Sequence, residues 1–199
     1  MNVSHRWKLL FFEVPRTGSR SITAALNTLD PEGPINQLRN DDGAAEYHVY
    51  RADWVEAHPD YLLFATHCNP YARLYSHYCI RKQWYARDAL KALNFDDYVA
   101  WTTAPERSPL TQEFNVDRPI TELLPHRTVH FWLRFAHLDE DWQQLRALTN
   151  APLPHLQSSN ESQKTSSAPY SETTASAVYE RFAQDFEVFG YDKDSWQAL

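Results

Sequence analysis

The chain has few cysteines: only Cys68 and Cys79 occur among its 199 residues. Both fall in one predicted strand–helix unit, with Cys79 more than two helical turns beyond the helix start. At a rise of ~1.5 Å per residue, that separation is too long for a disulfide. We therefore expect free thiols, which suit a cytoplasmic protein. Two cysteines also make a zinc ribbon implausible, and the histidines show no metal-ligand spacing, so we predict no metal site.

Long hydrophobic runs and a surplus of positive charge are also missing. No apolar stretch approaches the roughly 18 residues that a membrane span needs. The first 14 residues contain a short apolar segment, which we interpret as a strand and not as a signal peptide. The formal net charge of −7 argues against a nucleic-acid partner, since such proteins usually carry a basic face.

Residues that form hydrophobic cores are abundant in the chain. Hydrophobic residues make up 43% of the chain and aromatic residues 14%, a composition typical of globular proteins. The length suits one domain with a sizeable core, so we predict a single domain over residues 1–199. No internal repeat or linker divides it.

Hydrophobic periodicity predicts alternating strands and helices. Such alternation implies an α/β fold in which a central parallel sheet is flanked by helices on both faces. The predicted strands are 7–14, 60–66 and 128–133. The predicted helices are 19–29, 70–86, 95–103, 119–124, 139–149 and 171–189, with irregular segments at 30–47 and 150–169 and an extended or short helical piece at 48–57.

The most informative stretch is 8–26, K-L-L-F-F-E-V-P-R-T-G-S-R-S-I-T-A-A-L. A buried strand runs into a short loop, and the loop runs at once into a helix. Backbone N–H groups and the helix dipole make such a junction favourable for an anion, although a capped strand–helix turn has the same pattern. The ATP/GTP phosphate loop G-x-x-x-x-G-K-[ST] is absent, because the stretch has one glycine and its first basic loop residue precedes it.

A second stretch of the same kind follows a strand at 62–66. It reads C-N-P-Y-A-R-L-Y-S-H-Y over 68–78. Pro70 suits the first position of a helix, and Asn69 suits the cap before it. In a parallel sheet both loops would lie beyond the carboxyl ends of strands, where ligands bind.

Together these stretches resemble the family of sulfotransferases that use PAPS (3′-phosphoadenosine 5′-phosphosulfate). Residues 15–21 are similar to its 5′-phosphosulfate loop P-K-T-G-[ST]-[ST]-[ST]. Residues 68–78 are similar to its 3′-phosphate motif R-[DN]-P-[YFW]-x-R-L-x-S-x-Y, in the style of the carbohydrate branch. Residues 131–145 and 185–191 also follow family patterns, so the resemblance spans nearly the whole chain and is weakest over 83–127.

The resemblance implies a three-layer P-loop-like fold, PAPS as cofactor, PAP as its product, and an acceptor hydroxyl on a small molecule or glycan. It assigns Arg16 to the leaving phosphate and Arg73 and Ser76 to the 3′-phosphate. The loop residues implied to hold the 5′-phosphosulfate are Arg16, Thr17, Gly18, Ser19, Arg20 and Ser21. For Arg20 a solvent-facing position is an open alternative, and for Arg73 a structural salt bridge is one.

Three departures from the family patterns bear on cofactor binding. Cys68 stands where the family has its 3′-phosphate arginine, and a thiol supplies no charge. Ala136 stands where a glutamate is expected after 134–135. Arg16 replaces the loop lysine, which keeps the charge in a planar fork. Lys164, in the long loop after Asn160, is a candidate to replace the missing charge.

A base is needed to take the proton of the acceptor hydroxyl. We favour His48, which lies between the two phosphate loops, where several carbohydrate sulfotransferases place a catalytic histidine. His67, at a strand end, is the second candidate and is alternatively a 3′-phosphate ligand. Weaker candidates are Glu46, Asp41 and Asp42.

Three functions therefore compete. The first is sulfuryl transfer from PAPS to a hydroxyl, probed by binding of PAP. The second is a sulfotransferase-like nucleotide-binding module that has lost the reaction, which the Cys68 and Ala136 departures suggest. The third is a small kinase, against which the absent phosphate-loop lysine and the lack of a clear magnesium-binding aspartate argue.

Overall fold

The computed structural model describes residues 1–29, 36–37, 50–84, 91–106, 115, 117–156 and 169–199, with backbone only at 36–37 and 81–84. Its strands are β1 (Asn2–Ser4), β2 (Leu9–Phe12), β3 (Asn36–Gln37), β4 (Leu62–His67) and β5 (Phe131–Arg134). Its helices are α1 (Ser19–Leu29), α2 (Ala52–Ala57), α3 (Pro70–Trp84), α4 (Phe95–Thr103), α5 (Ile120–Leu123), α6 (Leu138–Thr149) and α7 (Glu172–Phe189).

The chain divides into two compact units, and the single domain over residues 1–199 stays a prediction. Unit 1 comprises residues 1–67 and 123–159, and unit 2 comprises residues 68–122 and 160–199. Unit 1 contains the sheet. No helix in the described residues of either unit has the length and apolar character that crossing a membrane requires.

The sheet of unit 1 has the strand order β3-β1-β2-β4-β5. Strands β2, β4 and β5 are parallel, which confirms the predicted parallel centre. Strand β1 pairs antiparallel with both β2 and β3, and these two strands at the sheet edge were not among the predicted elements. A turn over residues 5–8, with Lys8 at φ 54°, reverses the chain and makes β1 and β2 a hairpin.

Helices α1 and α6 pack against the sheet in unit 1. Ile22 and Leu26 on α1 and Trp142 on α6 share a buried cluster with Phe11 and Leu133 from the strands. The spacing of the apolar residues on α1 is that of one helical face, which is why the sequence predicted 19–29 at both ends. Each large apolar side chain buried in this way contributes about 1.5–3 kcal/mol.

Unit 2 is built from helices. Tyr71 of α3, Tyr98 of α4 and Phe182 and Phe186 of α7 form its buried cluster. Helix α7 begins after Ser171, whose side chain accepts a hydrogen bond from the backbone N–H three residues on. The predicted helices over 95–103 and 171–189 are confirmed, and Ser171 caps the second, which begins at Glu172.

The other predicted elements exist with shifted ends. Strand β4 starts two residues later and ends one residue later than 60–66, and β5 starts three residues later than 128–133 and ends one later. Of the segment 48–57, the described part forms α2 at its end. The structure describes only 36–37 of the segment 30–47, and 157–168 of the long loop lie outside the described residues.

Candidate active site

The carboxyl ends of β2, β4 and β5 lie at one edge of the unit 1 sheet. Because the three strands are parallel and in register, Phe12 lies beside Ala65, and His67 lies beside Arg134. The loop 13–18 therefore leaves the sheet next to the end of β4. Ligands of parallel α/β sheets bind at this edge.

The loop leading into α1 has an unusual backbone. Arg16 adopts φ 65° and Gly18 adopts φ 77°, both in the left-handed region. Glycine accepts that region readily, but an arginine rarely does. A strained residue of this kind persists where its surroundings hold it, and such residues cluster at ligand sites.

Thr17, between these two residues, anchors the loop from within. Its side chain is fully buried, and its hydroxyl donates to the carbonyl oxygen of Val14 over 2.9 Å. It also forms a hydrogen bond with the hydroxyl of Thr66 on β4. The hydroxyl of Thr17, a predicted loop donor, is thus engaged within the protein and fixes the loop to the strand.

Gly18 is in close contact with the turn between β5 and α6. A Cβ placed on Gly18 would lie 2.9 Å from the ring carbon Cε2 of Phe135 and 3.4 Å from Cδ2 of Leu138. The ring of Phe135 is nevertheless 47% exposed. Both the positive φ of Gly18 and the nearness of Phe135 therefore favour glycine at this position.

We expect Gly18→Ala to lower the free energy of unfolding by about 2–4 kcal/mol, combining a left-handed alanine with overpacking against Phe135. Gly190→Ala is the matched control, because Gly190 has φ 68° and nothing lies within 4 Å of its added Cβ. It should cost about 1–2 kcal/mol. Denaturant unfolding measures both.

A second variant checks the origin of that difference. Phe135→Ala in the Gly18→Ala background should recover the part of the loss that comes from overpacking. Equal losses for Gly18→Ala and Gly190→Ala would show that the Phe135 contact does not constrain the loop.

The start of α1 completes the loop. Ser19 and Ser21 are buried, and the backbone N–H of Ser21 donates to the carbonyl oxygen of Gly18 over 3.1 Å. Arg20 is exposed, so both interpretations of it, a ligand contact or a solvent-facing side chain, stay open. The positive end of the α1 dipole lies at this loop, where an anion is favoured.

At the end of β5, Arg134 forms a bidentate ion pair with Asp141 of α6. The Asp141 carboxylate accepts hydrogen bonds from the backbone N–H of Arg134 over 2.6 Å and from Nη2 over 2.6 Å. Burial alone would raise the pKa of Asp141, but the hydrogen bonds and charge of Arg134 outweigh burial and lower it. The pair fixes a guanidinium group at the site edge.

His67 lies next to this pair. Its side chain is buried, and its ring meets the ring of Trp132 edge-on with centroids 5.8 Å apart. Burial lowers the pKa of His67 to about 4, with the Arg134 charge acting in the same direction and the Asp141 charge opposing it. The imidazole is therefore neutral near pH 7.

Arg73 and Ser76 belong to unit 2. The guanidinium of Arg73 is buried and donates to the carbonyl oxygens of Arg118 over 2.8 Å and Asn115 over 3.0 Å. Burial lowers its pKa. Ser76 is half-buried on α3. Arg73 thus binds the backbone of Asn115 and Arg118, and its contact with a cofactor stays a prediction, as does that of Ser76.

Several predicted residues cannot be placed. His48, Lys164, Glu46, Asp41 and Asp42 lie outside the described residues. Cys68 is buried and Cys79 half-buried, and both are free thiols in the structure. Within the described ranges, no group of three or more histidine, cysteine or carboxylate side chains is arranged to hold a metal ion.

Sequence reasoning gave no role to Phe135, Trp132 or Asp141. Arg134, Phe135 and Asp141 stood in the third family pattern, at 131–145, but a pattern does not reveal which side chains pair across a turn. The sequence signal that could have indicated this pair is the spacing of seven residues between Arg134, at a strand end, and Asp141, in the first turn of the next helix.

Comparison with known proteins identifies the family of the chain. Neither the curated proteins nor the solved structures gave a match. A model of the sulfotransferase family matches residues 1–192, which include every element of the sheet and both loops. The chain therefore belongs to the sulfotransferase family.

Proposed function

We propose that this sulfotransferase moves a sulfuryl group from PAPS to a hydroxyl acceptor on a carbohydrate. The observation that carries the proposal is the loop 15–18, held with Arg16 and Gly18 in left-handed conformations at the start of α1. A loop built in this way presents backbone donors and an arginine to an anionic group.

In the proposed reaction the acceptor oxygen attacks the sulfur in line with the leaving group. The new O–S bond forms as the bond between sulfur and the bridging phosphate oxygen breaks. His48 takes the acceptor proton, and Arg16 neutralises the charge that develops on the PAP phosphate. As in phosphoryl transfer, positioning and electrostatic stabilisation supply most of the rate.

The remaining assignments rest on the resemblance to the family. The loop 16–21 holds the 5′-phosphosulfate through backbone N–H groups, the hydroxyls of Ser19 and Ser21, and Arg16. Arg73 and Ser76 hold the 3′-phosphate. The carbohydrate acceptor and a cytoplasmic location are likewise proposals, supported by the motif style of 68–78 and by the free thiols.

A second candidate function is a PAP-binding module that lacks turnover. It is favoured by Cys68, a 4% exposed thiol at the position of the family's 3′-phosphate arginine, and by Ala136 after Arg134-Phe135. Loss of one charge-assisted contact costs about 1.5–3 kcal/mol of binding. The two candidates differ in one measurement, transfer of labelled sulfate from PAPS to sugar hydroxyls.

We expect calorimetry to show that PAP binds and that ATP with magnesium binds at least tenfold more weakly. The physical reason is that the loop 15–21 lacks the lysine that grips the β- and γ-phosphates of ATP. Tighter binding of ATP than of PAP would overturn the proposal that PAPS is the cofactor, and it would favour a kinase.

A further inference from the structure

We propose that His67 takes up a proton when an anionic sulfuryl donor occupies the loop 15–21, so that the site gains positive charge only when it is loaded. The proposal rests on the proposed function, because it needs a phosphosulfate group at this edge. It assigns His67 a role other than that of the base.

The position of His67 is the first support. It is the last residue of β4, and the residue before it, Thr66, is hydrogen-bonded to Thr17 in the loop. Side chains alternate along a strand, so His67 points to the opposite face of the sheet from Thr66. Strands β2 and β4 are parallel neighbours, however, so the loop 13–18 and His67 lie at the same carboxyl edge of the sheet, where ligands bind.

The surroundings of His67 provide the second support. Trp132 packs edge-on against the ring, which excludes water from that side. The charged groups that act on it in the described part of unit 1 are Arg134 on β5 and Asp141 on α6. The Asp141 charge, which raises the pKa of His67, acts more strongly than the Arg134 charge, which lowers it, so burial is what holds this pKa low.

Burial therefore keeps the imidazole uncharged while no anion is present. An added negative charge reverses this balance, since an opposite charge favours the protonated form. In general, a negative charge about 8 Å from a histidine raises its pKa by about 1.5 at an effective permittivity of about 20. Two or more charges would carry the pKa of His67 from about 4 to near neutrality.

This coupling has a chemical consequence. The proton taken up places an imidazolium beside the donor, where it helps to neutralise the phosphate that leaves. A permanently charged side chain would be costly to bury there in the absence of the donor. A histidine avoids this cost, because it becomes charged only when it is protonated in the presence of the donor.

The test follows the imidazole signals of the wild-type protein by NMR from pH 4 to pH 8, with and without PAP. The His67 signal is assigned through its backbone, so the measurement does not depend on a variant. We expect its pKa to rise by at least 1.5 on binding of PAP. His155, which is exposed, serves as the internal reference and should not shift.

Affinity gives an independent readout. Calorimetric titrations give the affinity of the wild type and of His67→Gln for PAP. The wild-type affinity divided by the variant affinity should rise about tenfold for each pH unit below the pKa that His67 has with PAP bound. Taking this ratio cancels the titration of PAP itself. Near pH 8 the two proteins should bind alike.

The outcomes separate the two proposals. If PAP binds but the pKa of His67 stays near its value in the empty site, the role of His67 is overturned and the sulfotransferase proposal stands. If the folded protein binds no PAP, the proposed function fails and the His67 proposal falls with it.

Discussion

Arg16→Ala should reduce sulfuryl transfer by roughly 10²–10³ and weaken PAP binding by at least tenfold, while the protein stays folded. The side chain supplies a charge-assisted contact to the phosphate, worth about 1.5–3 kcal/mol in binding. Its effect on transfer is larger because charge develops on the bridging oxygen in the transition state. Calorimetry with PAP and a transfer assay measure the two effects.

Arg20→Ala is the matched control for Arg16→Ala. It removes the same charge from the same loop, but from an exposed position. Its effect on PAP affinity should stay below threefold if Arg20 faces solvent. Arg16→Gly should bind PAP as poorly as Arg16→Ala but unfold less readily, because glycine accepts φ 65° without strain. Normal PAP binding by both Arg16 variants would contradict the role of Arg16.

The parts of the fold that the sequence predicted best are those with strong local signals. Helix α1 has an apolar stripe and follows a loop, and α7 has a stripe and a serine cap. Each of these features acts over a few neighbouring residues. The order of strand, loop and helix follows from them, and with it the edge at which ligands bind.

The antiparallel hairpin of β1 and β2 carried no comparable signal. Strand β1 has three residues, too few to display a period of two. Its direction is decided by the turn at 5–8, in which Lys8 adopts a positive φ without being glycine or asparagine. Since the turn lacks the usual residue types, its reversal is visible only in three dimensions.

The candidate site likewise combines features that the sequence predicted with contacts that are visible only in three dimensions. The motif at 15–21 identified the loop, but it could not show that the Thr17 hydroxyl points inward to Val14 and Thr66. Nor could it show that Arg134 is paired with Asp141, or that Phe135 presses on Gly18. The sequence gives the type of each residue, whereas these contacts depend on how β4, β5 and α6 pack against one another.

His48→Ala should lower transfer by roughly 10²–10⁴ while PAP affinity stays within a few fold of the wild type. A base acts on the acceptor hydroxyl and not on the donor, so binding and rate should separate. The rate is measured as labelled sulfate transferred per unit time at saturating PAPS, and affinity by calorimetry. His155→Ala, at an exposed position, controls for the loss of a histidine and should leave both unchanged.

The result also distinguishes the roles of the two candidate histidines. An imidazole that is already protonated in the loaded complex has no lone pair to accept the acceptor proton, so His67 in its proposed state cannot serve as the base. If His48→Ala turns over normally, His48 is not the base. Loss of transfer in His67→Ala is expected for either role of His67, so the pKa of His67 in the PAP complex decides between them. If His48→Ala loses transfer and the pKa of His67 rises with PAP, one histidine removes the acceptor proton and the other neutralises the leaving phosphate.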